Sequence, residues 1–138
     1  MADYWYTQIQ SRVFTQIEYM LKKKYPYLFC TTKNENTFSE NGTPTDFPTL
    51  FMQELTPIER GQDLTNESVN AVLCTIEIQV WTDTSETECR DILADAVSQM
   101  KALHFNIIEM PLTKYNDKIA WGVIRCRRLI GSGDNIVN

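Results

Sequence analysis

His104 is the only histidine in this chain of 138 residues, so a metal centre would have to come from Cys30, Cys74, Cys89, Cys126 and carboxylates. Their spacings match no zinc pattern, and there is no CxxC pair. Cys89 and His104 are the right types for a thiol nucleophile and its base. They fall near opposite ends of one expected helix, however, and a rise of 1.5 Å per residue sets them roughly 20 Å apart. No glycine-rich phosphate loop and no GxSxG elbow occurs. Carboxylates such as Glu54, Glu77 and Asp91 are spread along the chain with no pairing that spacing supports. Neither catalysis, metal nor cofactor is expected, and in a reducing compartment the cysteines read as small buried hydrophobes.

Two other groups of residues remain. The stretch "TPIERGQDLTNESV", residues 56–69, joins two strong strand patterns where two to five residues would suffice. It reads as an excursion that reaches a partner, with Ile58 and Leu64 as apolar anchors and Glu59, Arg60, Asp63 and Glu67 as its charges. The second group is "RCRR", residues 125–128. Alternation puts Arg125 and Arg127 on one face with Ile119, Trp121 and Val123, and Arg128 on the other with Ile124 and Cys126. Either the arginines form a solvated strand end, or Arg125 and Arg127 pair with carboxylates of a neighbouring subunit such as Glu59, Asp63 and Glu67, for which the planar guanidinium fork is suited. "KKK" at residues 22–24 reads as cations complementing a helix C-terminus.

The elements that must position these groups follow from periodicity. Tyr6, Ile9, Val13, Ile17, Met20 and Leu21 recur at steps of three and four, which predicts an amphipathic helix over residues 4–24, ended by Pro26. "YLFCTT" reads as a short strand and residues 33–46 as a long exposed loop. In "FPTLFMQEL" both alternate sets are apolar, so a strand covered on two faces is expected, with Pro48 at its start or on an edge. "NAVLCTIEIQVW" is the clearest strand: Val72, Cys74, Ile76, Ile78 and Val80 face one way, and Thr75, Glu77 and Gln79 the other. Ser85 and Glu88 have capping-box spacing and open a second helix, whose stripe runs through Cys89, Ile92, Leu93, Ala96, Val97, Met100 and Leu103. "NIIEMPLTKY" and "KIAWGVIRCRRLIG" flank a turn at Asn116 and Asp117 and read as a hairpin.

The expected fold class is therefore α+β: a single antiparallel or mixed sheet with two helices packed on one face, in the order α-β-β-β-α-β-β. One domain is expected over residues 1–130, with "SGDNIVN" inside a flexible C-terminal tail, 131–138. A hydrophobic fraction of 43 % against 22 % charged residues is that of a folding chain. The net charge of −5 argues against binding nucleic acid by neutralising phosphates. No apolar run approaches the ~18–20 residues that span a bilayer, and "MADYWYTQIQ" lacks the regions of a signal peptide, so folding in a cytoplasm is expected.

The leading helix, "DFPTLFMQEL", the polar excursion, "CTIEIQVWTDTSETECRDILADAV" and the hairpin ending "IAWGVIRCRRLIG" together resemble the tail-terminator (tail-completion) proteins of long-tailed bacteriophages over about residues 4–130. The resemblance lies in element order and local pattern: an F-P strand before an excursion, an alternating strand running into a helix opened by Asp, Ser or Glu, and a closing apolar strand. It implies a structural virion protein at the tail-neck junction, made in the host cytoplasm, forming a homo-oligomeric ring expected to be a hexamer. Such a ring binds the tail tube protein, stops its polymerisation and meets a head-tail connector or stopper protein, while DNA passes through without specific binding. The pattern is also compatible with a head-side connector or neck protein, and an unrelated small cytoplasmic α+β protein or enzyme is a further alternative.

Overall fold

The computed structural model describes residues 4–32, 47–61, 68–116 and 118–138. The expected loop at 33–46, and Asp63, Leu64, Glu67 and Asp117, lie outside the described residues.

Helix α1 (Ile9–Lys24) follows a 3-10 turn at Trp5–Gln8 and buries Ile9, Val13, Ile17 and Leu21 on one stripe, one turn apart. Its end is marked by Tyr25, whose N–H still reaches the Leu21 carbonyl at 2.8 Å, just before Pro26. The lysines do more than complement the helix end: Lys24 Nζ lies 3.1 Å from Asp95 of the second helix, and the Tyr25 hydroxyl donates to the same carboxylate. Burial first, then the Asp95 hydrogen bond and charge, push the Tyr25 phenol above its ordinary value.

Helix α2 (Glu86–Ala102) starts where the spacing placed it, with Ser85 Oγ accepting from the Glu88 N–H at 3.0 Å. The Glu88 carboxylate is engaged by the Thr82 hydroxyl at the end of the preceding strand, tying helix to sheet. At the other end His104 adopts φ 68°. Its N–H bonds the Lys101 carbonyl, the Phe105 N–H bonds the Met100 carbonyl, and Phe105 is buried. The lone histidine thus occupies the left-handed position of a Schellman motif.

The described strands form one mixed six-stranded sheet, β1-β2-β4-β6-β5 with β3 also on β4, so the fold is α+β. They are β1 (Phe29–Thr31), β2 (Thr49–Glu54), β3 (Ile58–Arg60), β4 (Ala71–Thr82), β5 (Asn106–Asn116) and β6 (Ile119–Gly131). β1 runs parallel to β2, and all other pairings are antiparallel. β3 corrects the reading of residues 56–69 as an excursion throughout. Residue pairing with β4 ends at Glu54↔Ile76, the Leu55 N–H still bonds the Thr75 carbonyl at 2.8 Å, and pairing resumes at Ile58↔Leu73 beyond Pro57, which has no N–H to give the ladder. The hairpin turn is also displaced by one residue: Asn116 pairs with Ile119, and Lys118 takes φ 68°.

Both helices cover the same side of the sheet, in one core with Leu50, Met52, Cys74, Ile76, Ile78, Val80, Ile124 and Cys126. Gly122 belongs to this side because α2 crosses it closely: a Cβ there would stand 2.5 Å from Leu93 Cδ1. The segment read as a flexible tail instead folds back. A 3-10 turn at Asn135–Val137 lies against α1 and the Trp5–Gln8 turn, with Val137 only 7 % exposed.

Candidate interaction face

The register places cross-strand neighbours in rows on the side of the sheet away from the helices. Near the hairpin end, Trp81 and Trp121 stand opposite each other and stack at 5.6 Å, with Lys114 beyond. The next row holds Phe51, Gln79, Val123 and Leu112, and the third Gln53, Glu77, Arg125 and Glu109. Thr75 and Arg127 follow, then Ile58, Leu73 and Leu129. The outer face is thus apolar at both ends and polar across its middle.

That middle is organised around Glu77, 5 % exposed. Arg125 approaches it with Nε and Nη2, each at 2.9 Å, while Gln53 and Gln79 donate to its other oxygen at 2.7 and 2.9 Å. Burial alone would raise the Glu77 pKa. The three hydrogen bonds and the Arg125 charge outweigh burial and hold the carboxyl below its ordinary range. Arg125 also lies 3.3 Å from Glu109, and Arg127 Nε donates to Thr75 Oγ1.

These contacts revise the reading of the arginines. Arg125 and Arg127 do share the outer face with Trp121 and Val123, but the carboxylates meeting Arg125 are those of its own chain, Glu77 and Glu109. Arg128 points to the helix side and pairs with Asp134 at 2.5 Å. Of the excursion residues, Ile58 joins the outer face beside Leu73, Glu59 pairs with Val72 of the core row, and Arg60 pairs with Ala71 at the sheet's end. Asp63, Leu64 and Glu67 remain outside the described residues. Periodicity assigned Glu77 to the polar side of β4. Its partner stands 48 residues later, and only the β4–β6 register brings the two together.

The apolar ends are well exposed: Leu112 at 71 %, Met110 at 67 %, Leu129 at 56 % and Ile58 at 47 %. Met110, Leu112, Lys114, Trp121 and Val123 line a hollow of about 410 Å³ beside Glu109. The free edge of β5 is poorly suited to strand addition, because it carries two register shifts, Pro111 and Lys114. Side chains rather than backbone are what this face offers.

No group of three or more His, Cys, Asp or Glu suited to a metal occurs among the described residues. The four thiols are free and buried. Burial pushes Cys30, Cys89 and Cys126 up to about 12 and Cys74 higher still. Cys74 donates to Glu54, whose carboxyl burial raises above its ordinary range, offset in part by that thiol. Among the described residues no helix is long and apolar enough to cross a membrane. No family model and no curated protein matches the chain.

Proposed function

We propose that this protein is a tail terminator of a long-tailed bacteriophage. Copies close into a ring, expected as a hexamer, that seats on the last ring of tail-tube subunits, stops their polymerisation and presents its other side to the head connector. The outer sheet face carries this reading. Leu112, Leu129 and Ile58 are exposed there, and no described element lies over them, while both helices sit on the opposite side. Apolar rows flanking a fixed polar centre suit a contact between proteins, with the rows supplying area and the centre supplying register.

A ring uses two different patches per copy, each contact burying roughly 1,200–2,000 Å². Exposed Tyr4, Tyr19 and Tyr27 give the molecule further aromatic surface away from that face. A net charge of −5 suits a channel through which DNA passes without being gripped. Polymerising tail-tube protein with and without this chain tests the proposal. The expected outcome by electron microscopy is tubes capped at one end and stopped short. Unchanged length distributions and bare tube ends would overturn it. Cross-links from the virion to a portal-side protein in place of the tube would move the ring to the head side of the joint.

A further inference from the structure

Arg128 is out of keeping with its surroundings. The core side of β6 reads Ala120, Gly122, Ile124, Cys126, Arg128, Ile130, and all but Arg128 are uncharged residues packed under the helices. A charge so placed requires a counter-charge. It meets Asp134, with side chains 17 % and 16 % exposed, respectively. Asp134 belongs to residues 132–138, a segment that holds much of its own shape. The Asp134 carboxylate accepts from the Ile136 N–H, and the Asn138 side-chain amide donates to the carbonyls of Ser132 and Asp134. Among the described residues it is attached to the rest of the fold by the Arg128 pair, the burial of Val137, the packing of Ile136 against the core, the Ser132 N–H on the Asn70 carbonyl and the Asp134 N–H on the Gly131 carbonyl. The junction runs through Gly131-Ser132-Gly133, from the last residue of β6 into the plug, and a Cβ at Gly133 would meet nothing within 4 Å.

We propose that this C-terminal segment is exchanged between neighbouring copies, each copy's Asp134 pairing with Arg128 of the next and its Val137 filling the next copy's core; this rests on the ring reading. A preformed plug, one ionic anchor and a glycine hinge are the parts that exchange needs. Beyond the hinge, the groups that meet within one chain meet identically between two. The swap therefore alters only the contacts at the hinge, such as the Ser132 N–H on the Asn70 carbonyl and the Asp134 N–H on the Gly131 carbonyl, and adds the cost of association, which the other ring contacts offset. The charge complement is strict: the groove offers Arg128 and the plug offers Asp134. Passed head to tail, the segments close a ring.

Charge reversal tests the exchange. Arg128→Asp and Asp134→Arg each put like charges at the anchor, and the ring fraction of either variant by sedimentation should fall more than about tenfold. In an equal mixture, exchange alone lets Asp134 of one variant meet Arg128 of the other and Arg at 134 meet Asp at 128, so rings should return. A mixture no better than its components overturns the proposal.

A second measurement does not depend on Arg128→Asp folding. Gln16 and Asn135 line the same hollow beside the plug, so Gln16→Cys in one copy and Asn135→Cys in another should form a disulfide between chains when the mixed rings are oxidised. A doubly substituted chain whose rings yield only intrachain links removes the exchange and leaves the ring standing. An unsubstituted protein that stays monomeric by light scattering at every concentration removes both.

Discussion

Glu77 and Arg125 stand directly opposite on β4 and β6, and the guanidinium closes over a carboxylate that is almost fully withdrawn from water. The pair fixes the centre of the outer face within one chain. Arg125→Ala should therefore act on stability as well as assembly, because it strips a withdrawn carboxylate of its cation and leaves Gln53 and Gln79. A loss of stability is expected in denaturant titration. Arg127→Ala, which among the described residues removes a side-chain bond to Thr75, should lie within about 0.5 kcal/mol of wild type.

The same centre has a signature in pH. The Glu77 carboxyl is held below its ordinary range, so its contribution is complete above the unfolded-state value and disappears as pH falls through the folded one. Glu54 runs the other way: its pKa is raised, so its contribution is present below the unfolded-state value and is lost as pH rises through the folded one. Glu77→Gln should lower Tm at neutral pH and converge with wild type in acid. Glu54→Gln should raise Tm at neutral pH. Identical Tm-against-pH curves for the three proteins would contradict both assignments.

Gly122 is a contact residue by absence. Gly122→Ala would set a methyl group 2.5 Å from Leu93 Cδ1 and 3.1 Å from the Leu112 carbonyl, so the buried Leu93 side chain must turn aside and the hairpin backbone must give slightly. A loss of about 1–3 kcal/mol is expected. Combined with Leu93→Ala, the substitution should cost less than the two single losses added, and simple additivity in a thermal denaturation cycle would show that the helix does not press on this position.

At His104 the backbone, not the imidazole, sets the requirement. His104→Gly should stabilise the protein by about 1 kcal/mol, since glycine enters the left-handed region without a Cβ penalty. His104→Ala should give no gain. Calorimetry separates them, and a stabilised alanine variant would mean that the side chain, rather than φ, was the source of strain.

Leu112→Glu with Leu129→Glu tests the outer face without touching the core. Both side chains are more than half exposed, so Tm should hold within a few degrees while the ring population collapses in sedimentation. Normal assembly of this variant would take these two positions off the contact surface.

Helix stripes were legible because each repeats one face over several turns: Ile9, Val13, Ile17 and Leu21, then Cys89, Ile92, Leu93, Ala96 and Met100. Ser85 and Glu88 marked a helix start through a local bond that spacing alone specifies. β3 was not legible, since three residues between Pro57 and Gly61 carry no period. Glu77 looked like an ordinary polar strand residue, because alternation tells which side a residue faces but not what another strand lays over it. The C-terminal plug escaped for a related reason. Its anchor joins Arg128 to Asp134 across a glycine hinge, and one buried valine makes no pattern.

The buried thiols give the molecule its own set of clocks. Cys30 sits on β1, Cys74 on β4, Cys89 on α2 and Cys126 on β6, and burial keeps each sulfur protonated and slow to react. An alkylating pulse can reach one only when its own layer parts, so the order in which the four masses appear dates the separation of edge, centre and helix. If the C-terminal plug leaves its groove while the sheet stays shut, the copies can trade plugs with all four clocks still silent.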